Sequence, residues 1–157
     1  MSEELPPASD SEIEQLVEVV DGWLLGELGE NPAVIAVDRD PDRDQVRWLV
    51  RMQGEEKSKF SIWFHLQQRT LQLESYVCPA PLENQGAFFE YFLRQNLRLN
   101  GVAFCIGAED GIYLRSHLPV PWISPPEMDR LFGTIYAATE MCFVPAMRIG
   151  YGDKFTG

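Results

Sequence analysis

The stretch 84–118 constrains the fold of this chain more than any other part of it. In its first half, apolar side chains recur at helical spacing and fill about half of the helix circumference, with charged side chains on the opposite arc. These apolar positions are Phe88, Phe89, Phe92, Leu93, Leu97 and Leu99. The pattern predicts a helix with a wide face covered by protein. Gly101, behind Asn100, ends this helix because glycine tolerates the left-handed backbone of a helix terminus.

Beyond Gly101 the apolar spacing changes from the period of a helix to that of a strand. The segment 102–106 is apolar on both of its faces, so it predicts a strand inside the sheet rather than at its edge. Glu109, Asp110 and Gly111 then suit a tight hairpin turn, and a returning strand alternates from residue 112 onwards. The stretch therefore predicts a helix followed by a β-hairpin.

The chain ahead of residue 84 predicts one helix and four strands. Ser11 and Glu14 form a capping box at the start of an acidic helix that reaches Gly29. Four short segments follow, each alternating or rich in β-branched residues, and we expect them to pair in order as an antiparallel meander. These segments cover 33–38, 45–53, 59–67 and 71–77.

A last helix follows the hairpin. Ser124 caps it, Pro125 suits its first position, and Pro145 ends or kinks it after Val144. The chain thus predicts an α+β fold with three helices on an antiparallel sheet, in the order α-β-β-β-β-α-β-β-α. Its 157 residues and 45% hydrophobic content suit a single domain. We expect this domain over 10–151, between a disordered tail at 1–9 and a second tail at 152–157.

The charge of the chain is uneven. Its net charge is −11, and the first 30 residues hold nine acids without a Lys or Arg. This balance disfavours nucleic acid and anionic membranes as partners, because both bind clustered cations. No apolar run reaches the roughly 20 residues of a membrane span, and the acidic start does not resemble a secretory signal. We therefore expect a cytoplasmic protein whose three widely spaced cysteines are free, mostly buried thiols.

The predicted meander has two unlike faces. One is aliphatic and aromatic, and we expect the helices to cover it, whereas the other collects charged and aromatic side chains. The candidate binding residues on this second face are Arg47, Arg51, Trp63, His65 and Tyr76. Trp, Tyr and Arg supply much of the contact energy of protein interfaces, but a solvated sheet face with cross-strand pairs has the same composition. The sequence leaves both interpretations open.

Signatures of chemistry are missing from the sequence. It has no GxGxxG, GxxxxGK[ST], GxSxG or HExxH motif, so we predict no catalytic residue and no cofactor. The acidic loop 38–44 lacks the glycine and distal Glu of an EF-hand, and His65, His117 and Glu74 lack regular ligand spacing, so we predict no metal site. Asn96 falls inside the apolar arc of the central helix, where its amide either satisfies backbone groups of an adjoining loop or contacts a ligand.

Several motifs in combination resemble the bacterial YbjN-like family, which is similar in fold to the type III secretion chaperones. The motifs are WLVRMQGEEKSKFSIWFHLQQRTLQLESYVCPAP, LRQN, GVAFCIGAEDGIYLR and PAMRIGY, and the resemblance covers residues 10–151. It implies a helix, an antiparallel sheet, a central helix, a hairpin and a last helix. It also implies a non-enzymatic sensory transduction regulator or chaperone-like protein. The secretion chaperones usually have three strands before the central helix, whereas four are predicted here, so their binding grooves do not map onto this chain residue by residue.

These observations together predict a chaperone-like or adaptor protein, not an enzyme, that binds a polypeptide partner of unknown identity. The alternative is a regulator that senses a small molecule in a pocket beside Asn96. A deep apolar pocket with convergent polar groups would favour sensing, and an open groove or exposed sheet edge would favour polypeptide binding. The surplus of apolar surface on the helices also predicts a symmetric homodimer.

Overall fold

A computed structural model describes residues 6–155 of the chain. Three helices and six strands follow one another in the predicted order, so the fold is α+β, with short 3₁₀ turns between some elements. The elements are α1 (Asp10–Glu30), β1 (Val34–Arg39), β2 (Val46–Gln53), β3 (Lys59–Leu66), β4 (Thr70–Cys78), α2 (Gln85–Gln95), β5 (Val102–Ile106), β6 (Ile112–Pro119) and α3 (Pro125–Tyr151).

The six strands form one antiparallel sheet in the order β1-β2-β3-β4-β6-β5. The predicted meander of the first four strands is confirmed. The prediction that 102–106 lies inside the sheet is wrong, because β6 pairs with β4 and leaves β5 at the edge. The strand is apolar on both faces for another reason. Phe104 packs under α2, while Ala103 is exposed and Cys105 half-buried on the opposite face.

All three helices cover the same face of the sheet, and alternate strand residues point into the core between them. The buried strand residues with this phase include Trp48, Val50, Met52, Ile62, Phe64, Leu71, Leu73, Ile112 and Leu114. Each helix meets the face through a specific contact: Asp21 of α1 with Trp48, Phe92 of α2 with Phe104, and Phe132 of α3 with Phe64. Among residues 6–155, no helix lies on the other face of the sheet.

The first helix begins earlier than predicted. Its N-cap is Ser9, whose hydroxyl accepts from the Glu12 amide at 3.2 Å, rather than Ser11. Near the start of this helix the S-x-x-E spacing occurs at 9–12 and again at 11–14, and the earlier pair caps the helix. Within the predicted tail, the Ala8 amide donates to the Gln68 carbonyl at 2.8 Å, whereas 1–5 lie outside the described residues.

The central helix is shorter than predicted and less covered. It ends at Gln95, and a 3₁₀ turn carries 96–98. Phe88 and Phe92 are buried, but Leu93 is 68% exposed and Leu97 is 89% exposed. The expectation that protein covers the whole apolar arc is therefore wrong for this chain alone. Leu93 is exposed within the helix itself, and Leu97 lies in the tighter turn that follows it.

The last helix does not end at Val144. It continues through Pro145 to Tyr151, so the predicted end is wrong. A proline inside a helix removes one backbone hydrogen bond, and here tertiary contacts hold the segment that follows it. Gly150 packs so closely on Phe88 that an added Cβ would lie 2.7 Å from its ring, and the Gly150 carbonyl accepts from the amides of 82 and 83. Residues 156–157 of the predicted second tail lie outside the described residues.

Candidate binding surface on the open sheet face

The face of the sheet without helices, called the open face below, is built by strand register. Arg47, His65, Gln72 and His117 are aligned in one row across β2, β3, β4 and β6. The next row carries Leu49, Trp63, Glu74 and Arg115. Because side chains alternate along each strand, residues that are neighbours in a row point to the same side. The open face is therefore a continuous polar and aromatic surface.

Arg47 is the most firmly held cation on this face. Its Nε and Nη2 donate to Asp40 Oδ2 at 2.9 Å and 2.5 Å, and its guanidinium lies 5.3 Å from the Trp63 ring centroid. The Asp42 amide and then Arg47 hold the pKa of the Asp40 carboxyl below its usual range. The charged form of Asp40 thus fixes Arg47 against Trp63, and this contact orients an indole that is 38% exposed.

A hollow of about 250 Å³ lies in the middle of the open face. Its lining residues are Arg47, Trp63, His65, Gln72 and Glu74. Partial burial, and secondly the charge of Arg47, lower the pKa of His65 below its usual value, which favours the neutral imidazole near pH 7. The Glu74 carboxylate lies 3.7 Å from Arg115 Nε. The hollow thus combines an indole ring that can stack with hydrogen-bond donors and hydrogen-bond acceptors.

Gln72 connects the two rows. When its amide is oriented with the oxygen towards Arg115, that oxygen accepts from Arg115 Nε at 3.0 Å. The sequence pattern places Arg115 and His117 outward on the last strand, but it does not show that this strand lies beside β4. Arg115 therefore joins the candidate site only through the β4–β6 pairing.

Two other candidate residues lie on the open face outside the hollow. Tyr76 is exposed, and its ring packs edge-on against Tyr113 at 5.4 Å. Arg51 lies 3.6 Å from Asp38, with both side chains largely exposed, and lines a second groove at the β1 side of the sheet. Of the five candidates assigned to this face, Arg47, Trp63 and His65 thus share one hollow, while Arg51 and Tyr76 flank it.

Asn96 is not part of this surface. Its Nδ2 donates to the Phe104 carbonyl at 3.2 Å, and its Oδ1 accepts from the Phe104 amide at 2.7 Å. The side-chain amide of Asn96 thus satisfies backbone groups of β5. This is the first of the two roles that the sequence leaves open for it, and the other is contact with a ligand.

An apolar cleft of about 190 Å³ lies between α2 and β5. Its lining residues are Phe89, Phe92, Leu93, Phe104, Cys105, Ile106 and Ile112, so it has almost no polar lining. A small molecule could fit into this cleft, but no converging polar groups would fix its orientation. The cleft therefore does not favour the small-molecule alternative.

The cysteines are free thiols in the described chain, as predicted, with Cys78 and Cys142 buried and Cys105 half-buried. Burial raises the pKa of Cys78 to about 12 and raises the pKa values of the other two, so all three stay protonated at neutral pH. Within residues 6–155, no three His, Cys, Asp or Glu side chains are grouped to hold a metal ion. Among the same residues, no helix is long and apolar enough to span a bilayer.

Comparison with known proteins gives one family and a few distant relatives. Residues 31–145 match the model of the YbjN family, described as "putative bacterial sensory transduction regulator". An uncharacterized protein of Mycobacterium tuberculosis is 27% identical over 103 residues, which are 66% of this chain and 56% of that protein. An uncharacterized protein of Mycobacterium leprae is 26% identical over 106 residues, or 68% of this chain and 58% of that protein. The match thus spans little more than half the length of these relatives.

Proposed function

This chain belongs to the YbjN family, and from that premise we propose that it is a cytoplasmic, non-enzymatic regulatory or adaptor protein that binds a polypeptide segment on its open face. The observation that carries the proposal is Trp63. Its indole is held in place by Arg47, stays 38% exposed and forms one wall of the central hollow, with no described helix above it. A large aromatic side chain that is ordered yet accessible is typical of an interface anchor.

The surroundings of Trp63 suit a polypeptide better than a small molecule. Arg51 on β2 and Tyr76 on β4 lie outside the hollow, on the two strands that flank the Trp63 strand, so an extended segment could use three anchors on the sheet. Its polar lining provides acceptors at Glu74 and donors at Arg47, which match the amide groups of a peptide backbone. The exposed aromatic and arginine side chains then supply the contact energy.

Affinity capture followed by mass spectrometry tests the proposal. We expect the parent protein to enrich a defined set of polypeptides and the double variant Trp63→Ala, Arg51→Ala to lose them, because truncating an anchor typically costs about 2 kcal/mol or more of binding free energy. Trp63→Phe keeps an aromatic ring and serves as the control that retains capture. If the double variant captures the same polypeptides as the parent, the open face is scaffold and the proposal fails.

We further propose that a second copy of the chain covers the exposed apolar side chains beside the α2–β5 cleft. Leu93 and Ile106 line this cleft and are both exposed, and Leu97 follows Leu93 by about one turn. Exposed apolar groups this large usually mark an interface in soluble proteins. The patch lies on the helix side of the sheet, so such a dimer leaves the open face accessible.

A further inference from the structure

The two edges of the sheet differ in a way that affects strand docking. Directly after β5, the amide of Gly107 donates to the carbonyl of Gly111. Counting back along the strand from this hydrogen bond, Phe104 turns its N–H and C=O away from β6. Both of these groups are bonded to the side-chain amide of Asn96. The middle of the β5 edge is thus already occupied, and an incoming strand would have to displace Asn96.

The β1 edge has the opposite character. The Asp40 amide donates to the Arg47 carbonyl at 2.9 Å, which makes alternate residues of β1 bond to β2 and turns the N–H and C=O of Val37 and Arg39 outward. In the part of the chain that the structure describes, these outward groups have no hydrogen-bond partner. Val37 is half-buried and Arg39 exposed, so solvent reaches the edge.

A groove of about 310 Å³ lies inward of this edge, over the hairpin end of β2 and β3, and its lining includes Ile35 of β1. Exposed Ile35 gives it an apolar part, and Arg51 and Lys59 provide two cations. Arg51 is only loosely paired, since its Nε lies 3.6 Å from the Asp38 carboxylate with both groups largely exposed. The two cations favour carboxylates on an incoming segment.

We propose that one segment of the partner polypeptide, next to the part that contacts Trp63, binds as an added strand on β1, with acidic side chains that meet Arg51 and Lys59. The inference rests on the proposed function and specifies the geometry and charge of the partner. The bulge at Ile35 and the charges at Asp38 and Arg39 discourage indiscriminate strand addition. A segment with matching carboxylates overcomes them, so the same charges select the partner.

A single substitution in β1 tests strand addition without removing a hydrogen bond of the sheet. Val37→Pro removes an N–H that faces away from β2, so the β1–β2 ladder keeps its hydrogen bonds while the edge loses a donor. Val37→Thr keeps the N–H and is the matched control. Lys59→Glu reverses one of the two groove cations and provides an independent variant. Neither Val37 nor Lys59 belongs to the candidate residues of the open face, so these changes do not alter its anchors.

The probe is a fluorescein-labelled ten-residue peptide of alternating Thr and Glu, compared by fluorescence anisotropy with a peptide of alternating Thr and Lys. We expect the parent and Val37→Thr to bind the Thr-Glu peptide at least about tenfold more tightly than the Thr-Lys peptide, with an affinity that falls as salt is raised. Val37→Pro and Lys59→Glu should each weaken binding of the Thr-Glu peptide by about tenfold.

Three outcomes would overturn the inference: no saturable binding of the Thr-Glu peptide, equal affinities for the two peptides, or Val37→Pro binding like the parent. Conversion of a parent dimer to a monomer by Val37→Pro would also overturn it, because a second copy would then occupy the edge. The peptide experiment can contradict strand addition on β1 while the Trp63→Ala, Arg51→Ala variant still loses its captured polypeptides. In that case the proposed function stands and only the proposed docking on β1 is rejected. If the Trp63→Ala, Arg51→Ala variant instead keeps its captured polypeptides, the proposed function itself fails.

Discussion

The partly buried ammonium group of Lys57 connects the β2–β3 loop to β4. Its Nζ donates to the carbonyls of Tyr76 and Val77 at 3.0 Å and 2.6 Å, and the rings of Tyr76 and Phe143 lie 5.4 Å and 5.3 Å away. Burial lowers the pKa of Lys57 from 10.5 to about 8. The native state therefore carries a partly desolvated cation at neutral pH, held by carbonyl dipoles and aromatic faces.

The lowered pKa predicts a pH dependence of stability. Below pH 8 Lys57 is protonated in both states and the native state bears the full cost of burying the charge. As the pH rises above 8, the native state releases this proton before the unfolded state does, so the contribution of Lys57 to the free energy of unfolding increases. Denaturant unfolding at about pH 7 and about pH 9 should show the parent gaining stability relative to Lys57→Met.

Comparison with the variant also removes the contributions of groups that titrate in this range without interacting with Lys57. Lys59→Met, at an exposed lysine two positions along the chain, is the matched control and should follow the parent. Identical pH dependence in the parent and Lys57→Met would contradict the burial of this ammonium.

At the scale of elements, α1 is held to the sheet by a narrow stripe. Val20 and Leu24 are its fully buried residues, and its interior contains glycines at which an added Cβ would meet no atom within 4 Å. Such glycines lower helix stability without serving a packing contact. The last helix shows the reverse case at Gly150, where the Phe88 ring fills the space that a side chain would need.

A pair of identical substitutions tests this distinction. Gly26→Ala should raise the free energy of unfolding by about 0.5 to 1 kcal/mol, because alanine is the better helix former and the site is open. Gly150→Ala should lower it, because its Cβ would lie 2.7 Å from the Phe88 ring. Thermal or denaturant unfolding measures both, and a stabilising Gly150→Ala would show that α3 does not pack on α2 as described.

The elements also show how far sequence patterns reach. Alternation in the first four strands correctly separates the core face from the open face, because a side chain's side is a local property of a strand. The edge position of β5 and the continuation of α3 through Pro145 escape prediction, because both depend on contacts between distant segments: the β4–β6 pairing and the packing of Gly150 on Phe88. For the same reason the sequence places Arg47, Trp63 and His65 on one face of the sheet, whereas it does not place Arg115 beside Gln72.

At the scale of the whole molecule, the apolar patch beside α2 predicts the assembly state. We expect sedimentation equilibrium to show a dimer of the 17.9 kDa chain. Leu93→Glu with Leu97→Glu should convert it to a monomer without unfolding it, since these side chains are 68% and 89% exposed in the single chain. Leu25→Glu, at an exposed leucine of α1, is the control and should leave the dimer intact. A parent that sediments only as a monomer would contradict the proposed interface.

The two sides of the sheet differ in the side chains that they carry. Its helix side carries the core, the acidic first helix and the apolar patch, whereas its open side carries ordered aromatic and arginine side chains that no described helix covers. This division is the basis of the proposal that the family's regulatory role is exercised here through a polypeptide bound on the sheet.

Site-specific photo-crosslinking tests that claim most directly. A benzoylphenylalanine placed at Trp63 would report contacts on the open face, and one placed at Trp122, which is 67% exposed between β6 and α3, controls for exposure alone. We expect a discrete cross-linked polypeptide from position 63, suppressed by Arg51→Ala, and none from position 122. Equal cross-linking at both positions, or cross-linking at 122 alone, would contradict the assignment of the open face as the binding surface.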